Sequence, residues 1–369
     1  MKKLLAFFRR ETVFTVALVA ALMSFLLAAP GKHVLQGIDA VTLLMLFTLM
    51  TVVAGLKRIG LFDRLGGKIT ACVHSQRTLA AALTTACFVM AMVATNDVAL
   101  LTLVPFTLML MQGAAERDVI LTVTLETVAA NLGSMVTPIG NPQNLYLYSA
   151  GLLELADFPR LTWPYALVSL IALLAATRLI SNAPLRGMSA QHNAPRDARL
   201  PLYALLSVVA LLAVAKILPA WAAALIVLAG VMIFDRGVLR QVDFVLLGTF
   251  VCFFVFVASV KQCAPVRSWL EGMMASSPLM VSLLASQVIS NVPACLLLSP
   301  FTTDAAAVML GVNLGGLGTL VASLASLISF KLYGASKTAQ KGRYLLVFTL
   351  VNVVGLALML LLACLLGHL

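Results

Sequence analysis

The chain has 369 residues, of which 62% are hydrophobic and only 11% charged, and its mean hydropathy is +1.04. A soluble domain carries about 25% charged residues, so the composition excludes one and describes an all-α polytopic membrane protein whose whole length is a single membrane domain. The net charge of +11 invites a nucleic-acid reading, which the placement of the basic residues along the chain does not support.

The first element is the apolar run 13–29 behind MKKLLAFFRRE. It is too long for a signal peptide and lacks a clean Ala-x-Ala cleavage site, so it reads as a retained first helix with a cytoplasmic N-terminus. Ile38-Asp39 opens a second run that ends near 56. The basic stretch 57–68, KRIGLFDRLGGK, leads into a short surface helix.

Two apolar limbs, 79–94 and 98–111, follow, separated by Thr95-Asn96-Asp97. Each falls short of the roughly 20 residues of a full crossing. Arg77 flanks one end and Glu116-Arg117 the other, which predicts a re-entrant hairpin over about 79–111 with its polar tip at Asn96. Residues 119–153 predict a broken helix, because 133–144 holds two Gly, two Pro and three side-chain amides. Such backbone is tolerated at membrane depth only where protein or a wet cavity satisfies it. Run 163–176 returns, and 181–200 reads as a polar cytoplasmic linker.

The second half, 201–369, repeats this order. Runs 202–218 and 220–234 cross, and Val242-Asp243 opens 243–260. A second hairpin spans about 277–300 with its tip at Asn291, a second broken helix about 305–330, and 345–366 is last. Threaded from a cytoplasmic N-terminus, Lys32, Arg160, Lys216, Lys261 and Arg267 fall outside, leaving 20 of the 25 Lys and Arg inside. That is the positive-inside bias.

The duplication is visible residue by residue. Residues 96–106 read NDVALLTLVPF and 291–301 read NVPACLLLSPF; 131–145 read NLGSMVTPIGNPQNL and 313–327 read NLGGLGTLVASLASL, with five of fifteen positions identical and no gap. Paired Gly/Pro-interrupted apolar segments are the signature of a secondary-transporter binding site built on inverted repeats, here 1–180 and 201–369.

Hairpin tips and helix breaks free backbone groups that lipid cannot satisfy. Helix N-termini suit an anion, and unwound carbonyls with Ser, Thr and Asn oxygens suit a cation such as Na⁺. The bland alternative is that Asn96, Asp97, Ser290 and Asn291 are N-caps, with Pro293 in a first turn. Pairing of the motifs favours function. Asp97, whose counterpart is Val292, is a membrane-depth carboxylate and a candidate coupling acid; Glu126 is a second, with partnership to a Ser, Thr or Lys as its structural alternative. Asp39 and Asp243 read as helix caps. Six Cys without a CxxC and four His in loops or at the terminus give neither disulfide nor metal site, so no cofactor is expected beyond Na⁺ at the tips.

TNDVALLTLVPF, NLGSMVTPIGNPQNL and SQVISNVPACLLLSPF resemble the ion transporter superfamily of divalent anion/sodium symporters, citrate transporters, arsenite-pump subunits and sodium/proton antiporters. The nearest look is to short bacterial citrate-transporter-like permeases. The resemblance covers nearly the whole chain, and Thr-Pro-x-Gly-Asn-Pro-x-Asn at 137–144 is its most specific string. It implies a homodimer in the inner membrane, a scaffold and a mobile part moving as an elevator, ion sites at the tips and substrate between them. By position the implied site residues are Thr95, Asn96, Asp97, Gly133, Thr137, Pro138, Gly140, Asn141, Pro142 and Asn144 in the first half. In the second half they are Ser290, Asn291, Val292, Pro293, Asn313, Gly315, Thr319, Ser323 and Ser326. The tips depart from the Ser-Asn-Thr of the sodium-coupled dicarboxylate members, and Asp97 is similar to the arsenite-pump pattern.

The expected function is secondary transport of a small inorganic or carboxylate anion coupled to Na⁺ or H⁺. A cation/proton antiporter using Asp97 is the alternative. A membrane-embedded enzyme is remote, since no HExxH, GxSxG or buried His is present.

Overall fold

The structure, a computed structural model, describes residues 8, 11–26, 31–62, 64, 73–185, 197–336 and 338–369. Most of the expected surface helix after 57 and the middle of the 181–200 linker lie outside the described residues.

The first half contains α1 (Thr12–Ser24), α2 (Lys32–Gln36), α3 (Ala40–Arg58), α4 (Gln76–Ala94), α5 (Asn96–Leu110), α6 (Glu116–Ser134), α7 (Pro142–Ser149) and α8 (Asp157–Ala176). The second contains α9 (Leu200–Val214), α10 (Ala220–Phe234), α11 (Phe244–Val260), α12 (Ala264–Ser276), α13 (Pro278–Ile289), α14 (Asn291–Leu298), α15 (Ala305–Leu314), α16 (Leu324–Gly334) and α17 (Lys341–Leu365).

Asp39 and Asp243 do cap their helices, as expected: their carboxylates accept from the backbone N–H of Thr42 at 3.1 Å and of Leu246 at 2.9 Å. Four helices (α3, α4, α8 with its 3₁₀ extension, and α17) are long and apolar enough to cross a membrane, and α11 with α12, bent by 102°, makes a fifth candidate. The length of α4 corrects one expectation. Counting apolar residues from Leu79 made the first hairpin limb too short to cross. Ser75 instead starts the helix at Gln76 through a capping box with Thr78, and the limb reaches 19 residues. The return limb α5 stays at 15 residues. Helix α12 was not anticipated; its Leu270 and Met274 are buried while Trp269 faces outward.

The chain doubles back at both polar tips: α5 packs on α4, and α14 packs on α13. Helix α6 lies against both limbs of the first hairpin and α15 against both limbs of the second. The return limbs then cross over. Helix α5 packs on α16, and α14 packs on α7. Each hairpin thereby touches the part of the other half that follows its break.

Helices α9 and α10 pack against α3. Asp235 ties their ends together, accepting from the Tyr203 hydroxyl at 2.8 Å and pairing with Arg199 at 2.9 Å and Arg58 at 3.5 Å. Helix α17 turns Leu346, Leu350, Val354, Leu361 and Leu365 outward, each at least 59% exposed. A helix that shows leucine and valine on its outer face fits lipid and not water.

Candidate functional site

Both tips carry the same backbone distortion. Thr95 has φ 79° and ψ 149°, and Ser290 has φ 72° and ψ 154°. This region is populated essentially by glycine, and a side chain there costs about 1–3 kcal/mol. Neither residue is glycine. Each tip is held by one backbone bond: the Asn96 N–H donates to the Gly140 carbonyl at 3.0 Å, and the Asn291 N–H donates to the Ala322 carbonyl at 2.9 Å. Gly140 and Ala322 occupy the same place in the two fifteen-residue motifs.

The tip asparagines are not ordinary N-caps. Their side-chain oxygens accept from the very next N–H, Asp97 at 3.0 Å and Val292 at 2.9 Å, whereas a cap reaches the second or third. The positive φ one residue earlier already places each Asn inside its helix, so the capping expectation fails there.

Helix α6 continues through Gly133 to Ser134, two residues into the stretch 133–144 expected to break it, and the break occupies 135–141. In the second half it occupies 315–323. Here the halves exchange side chains. Asn313 Oδ1 accepts from the Asn141 amide at 2.9 Å, and the Asn313 amide donates to Asn144 Oδ1 at 2.8 Å. Its counterpart Asn131 accepts from the Ser323 hydroxyl at 3.0 Å and donates to Ser326 Oγ at 3.4 Å. Ser323 and Ser326 are the counterparts of Asn141 and Asn144. Asn96 joins this group by donating to Asn131 Oδ1 at 3.4 Å. All of these side chains are at most 4% exposed.

The breaks bind their own hairpins by matching contacts. Thr137 Oγ1 donates to the Met92 carbonyl at 2.5 Å, and Thr319 Oγ1 donates to the Gln287 carbonyl at 3.0 Å. Each acceptor lies four residues before its tip Asn. A side chain on Gly133 would run into the Phe88 carbonyl, and one on Gly315 would meet the Leu283 carbonyl, so close helix approach requires glycine at both places. The freed break carbonyls are satisfied differently in the two halves. Asn144 donates to those of Ser134, Met135 and Thr137, while Gln287 donates to those of Gly315 and Leu317.

The predicted residues therefore divide. Asn96, Asn141, Asn144, Asn313, Ser323 and Ser326 converge on one buried polar core, with Asn291 beside it at Ala322. Thr137, Thr319, Gly133 and Gly315 fix the breaks to the hairpins; Thr319 is itself exposed. Val292 and Pro293 are buried apolar residues of α14. Sequence reasoning missed Asn131, Ser134, Gln143 and Gln287. Asn131 was the legible one, since its counterpart Asn313 had been singled out.

Asp97 is half-buried, and its carboxylate has no hydrogen-bond or ion-pair partner among the described residues. Glu126, fully buried in α6, accepts from the Thr107 hydroxyl through Oε1, while Oε2 has no partner. No Lys or Arg occurs in 89–111, 131–145, 287–301 or 313–327. The polar core offers neutral N–H and O–H donors and carbonyl and amide oxygens, and the carboxylate of Asp97 follows Asn96 in the chain. Oxygen ligands of this kind suit a hard monovalent cation, and no cluster of metal-binding side chains occurs among the described residues.

Residues 4–310 match the family model described as citrate transporter, CitMHS. The chain is 32% identical over 324 residues to the inner membrane protein YbiR of Escherichia coli, covering 85% of this chain and 86% of that one. It is 28% identical over 317 residues to the uncharacterized transporter MJ0456 of Methanocaldococcus jannaschii, with the same shares of each chain covered.

Proposed function

The chain belongs to the citrate transporter family, a family of membrane transporters and not of enzymes, and from that premise we propose that it moves a small oxyanion or carboxylate through the inner membrane in exchange for the energy of a Na⁺ or H⁺ gradient. In this reading 1–180 and 201–369 are inverted repeats with cytoplasmic N-terminus and linker. The two hairpins and two broken helices form the mobile part of an elevator in a homodimer, and Na⁺ sits at the tips.

One observation carries the reading: the exchanged contacts of Asn131 with Ser323 and Ser326 and of Asn313 with Asn141 and Asn144. Reciprocal contacts between two like segments are what a pseudo-two-fold axis between them would produce. Inverted transporter repeats have that relation, with the cargo site at their interface near the midplane. Helix N-termini of α5, α7, α14 and α16 supply neutral donors for an anion, and break carbonyls supply oxygens for its coupling ion.

A thermal-shift screen of the purified protein against citrate, phosphate and sulfate, with Na⁺ and pH varied, tests this. A ligand at 100 times its Kd stabilises by about 2.7 kcal/mol. Stabilisation by an anion that depends on Na⁺ or pH is the expected result; stabilisation by Na⁺ or pH alone favours the second reading. That reading, a cation/proton antiporter, is favoured by the unpaired carboxylate of Asp97 and the absence of Lys and Arg from the motifs.

A further inference from the structure

A cavity of about 350 Å³ lies between the α2–α3 turn, α7, the C-terminal end of α11 and α14. None of the polar-core residues lines it. Its buried lining residues are mostly apolar, Phe254 and Leu296 among them, and its more exposed ones include Gln36, Asp39, Lys261 and Gln262.

Two opposite charges share this cavity and neither is compensated. The Asp39 carboxylate accepts only from Thr42, through the backbone N–H at 3.1 Å and the hydroxyl. Both donors are neutral, so they cap the helix without cancelling the charge. The Lys261 ammonium has no hydrogen bond or ion pair among the described residues, Asp39 included. Arg267, the next cation along the chain, already holds Glu271 at 2.8 Å, which leaves that acid unavailable to Lys261. A carboxylate and an ammonium that line one cavity without pairing are complementary to a ligand that carries both charges.

The surroundings belong to the edge of the bilayer. Leu35 and Val41 flank the lining turn and are 75% and 47% exposed, as suits side chains that meet acyl chains. Trp269 of α12, the helix that starts just beyond Lys261, is 62% exposed. Tryptophan so placed favours the headgroup level.

We propose that this cavity binds a phospho-amine group, with its phosphate on Lys261 and its primary ammonium on Asp39: the headgroup chemistry of an aminophospholipid. The side-chain amides of Gln36 and Gln262 supply further donors for phosphate oxygens. A primary ammonium brings three N–H donors to the carboxylate, whereas a trimethylated one brings none. A headgroup without an amine leaves Asp39 facing an anion. Helices α7 and α14 belong to the part that the elevator reading makes mobile, and α3 and α11 do not. Under that reading occupancy joins the two, and transport responds to headgroup composition; binding itself does not rest on it.

The test is native mass spectrometry of the detergent-purified full chain, titrated with short-chain phosphatidylethanolamine, phosphatidylcholine and phosphatidylglycerol of identical chains. Wild type should hold the ethanolamine lipid about tenfold or more tightly than the other two. Asp39→Asn keeps an acceptor for Thr42 and removes the charge. It should bring the ethanolamine-to-choline ratio to within about twofold. Lys261→Met should weaken all three lipids about tenfold. Asp243→Asn, the equivalent cap in the other half, should leave the preference unchanged. Free O-phosphoethanolamine forms the second arm. Weaker binding than the lipid identifies the bilayer as the source, equal binding identifies the soluble compound, and either upholds the charge pairing. Equal binding of the three lipids by wild type, a preference retained in Asp39→Asn, or one lost equally in Asp243→Asn would each overturn the proposal while leaving the transport reading standing.

Discussion

Asn141 donates to Asn313 at 2.9 Å across 172 residues of chain, and both side chains are buried to within 2% of complete. Neither amide reaches the protein surface, so protein groups must replace solvent for both. An unpaired buried amide group costs about 1–3 kcal/mol. Asn313→Ala orphans Asn144 Oδ1 and leaves the Asn141 nitrogen with Ser134 Oγ at 3.1 Å as its remaining acceptor, and is expected to destabilise by about 1–3 kcal/mol in thermal unfolding in detergent. In a double-mutant cycle, Asn141→Ala with Asn313→Ala should show coupling of about 0.5–3 kcal/mol. Additive effects would mean that the two halves do not bind through this pair.

Gly133 and Gly315 answer to steric limits. Gly133→Ala forces α6 away from the Phe88 carbonyl, and Gly315→Ala forces the second break away from Leu283 and Ser286. Overpacking of this kind costs about 1–3 kcal/mol, and here it also displaces a hairpin tip. Both variants should lower the melting temperature. Gly272→Ala, which has open space around it, should not, and serves as the control.

The two acids are separable. The Asp97 carboxylate has no hydrogen-bond or ion-pair partner among the described residues, whereas Glu126 is engaged by Thr107. Asp97→Asn keeps the shape and removes the charge, so it should fold and should lose the Na⁺ or pH dependence of transport. Glu126→Gln keeps an acceptor for Thr107 and should retain that dependence. Flux measurements in proteoliposomes at several pH and Na⁺ values decide the matter. Unchanged coupling in Asp97→Asn would move the role to Glu126.

Orientation is tested by single-cysteine labelling in intact cells. Cysteines placed at Glu154 and Thr303 should react with an impermeant maleimide, and those at Arg64, Asn193 and Gln340 should not. Labelling at Asn193 from outside would contradict a cytoplasmic linker between inverted halves.

Much of this arrangement was legible because a polar triplet inside an apolar run has few uses. Thr95-Asn96-Asp97 and Ser290-Asn291 marked the hairpins at the residue where the chain turns back. The breaks were legible from Pro138, Pro142 and the glycines. Asn131 was legible only through its counterpart Asn313, because it lies on an unbroken turn of α6, where local pattern gives no hint of a partner 192 residues away in Ser323. Gln143 was hidden among prolines and asparagines; its distinction is a buried Oε1 without a partner, which only packing reveals. The length of α4 was lost to a polar cap, Ser75 with Thr78, that hydrophobicity does not register.

The central claim is that the two tips serve one site from its two sides. Asn96 and Asn291 hold equivalent backbone bonds to Gly140 and Ala322, and removing either side chain takes away the same oxygen from opposite halves. The most direct measurement is uptake into proteoliposomes, under an imposed Na⁺ or pH gradient, of the anion that stabilises the wild type, by Asn96→Ala and Asn291→Ala separately. Each variant is expected to remain folded and to lose at least about 90% of uptake, in line with loss of one buried contact of about 1.4 kcal/mol or more. Wild-type uptake by either variant would contradict a site shared between the two halves.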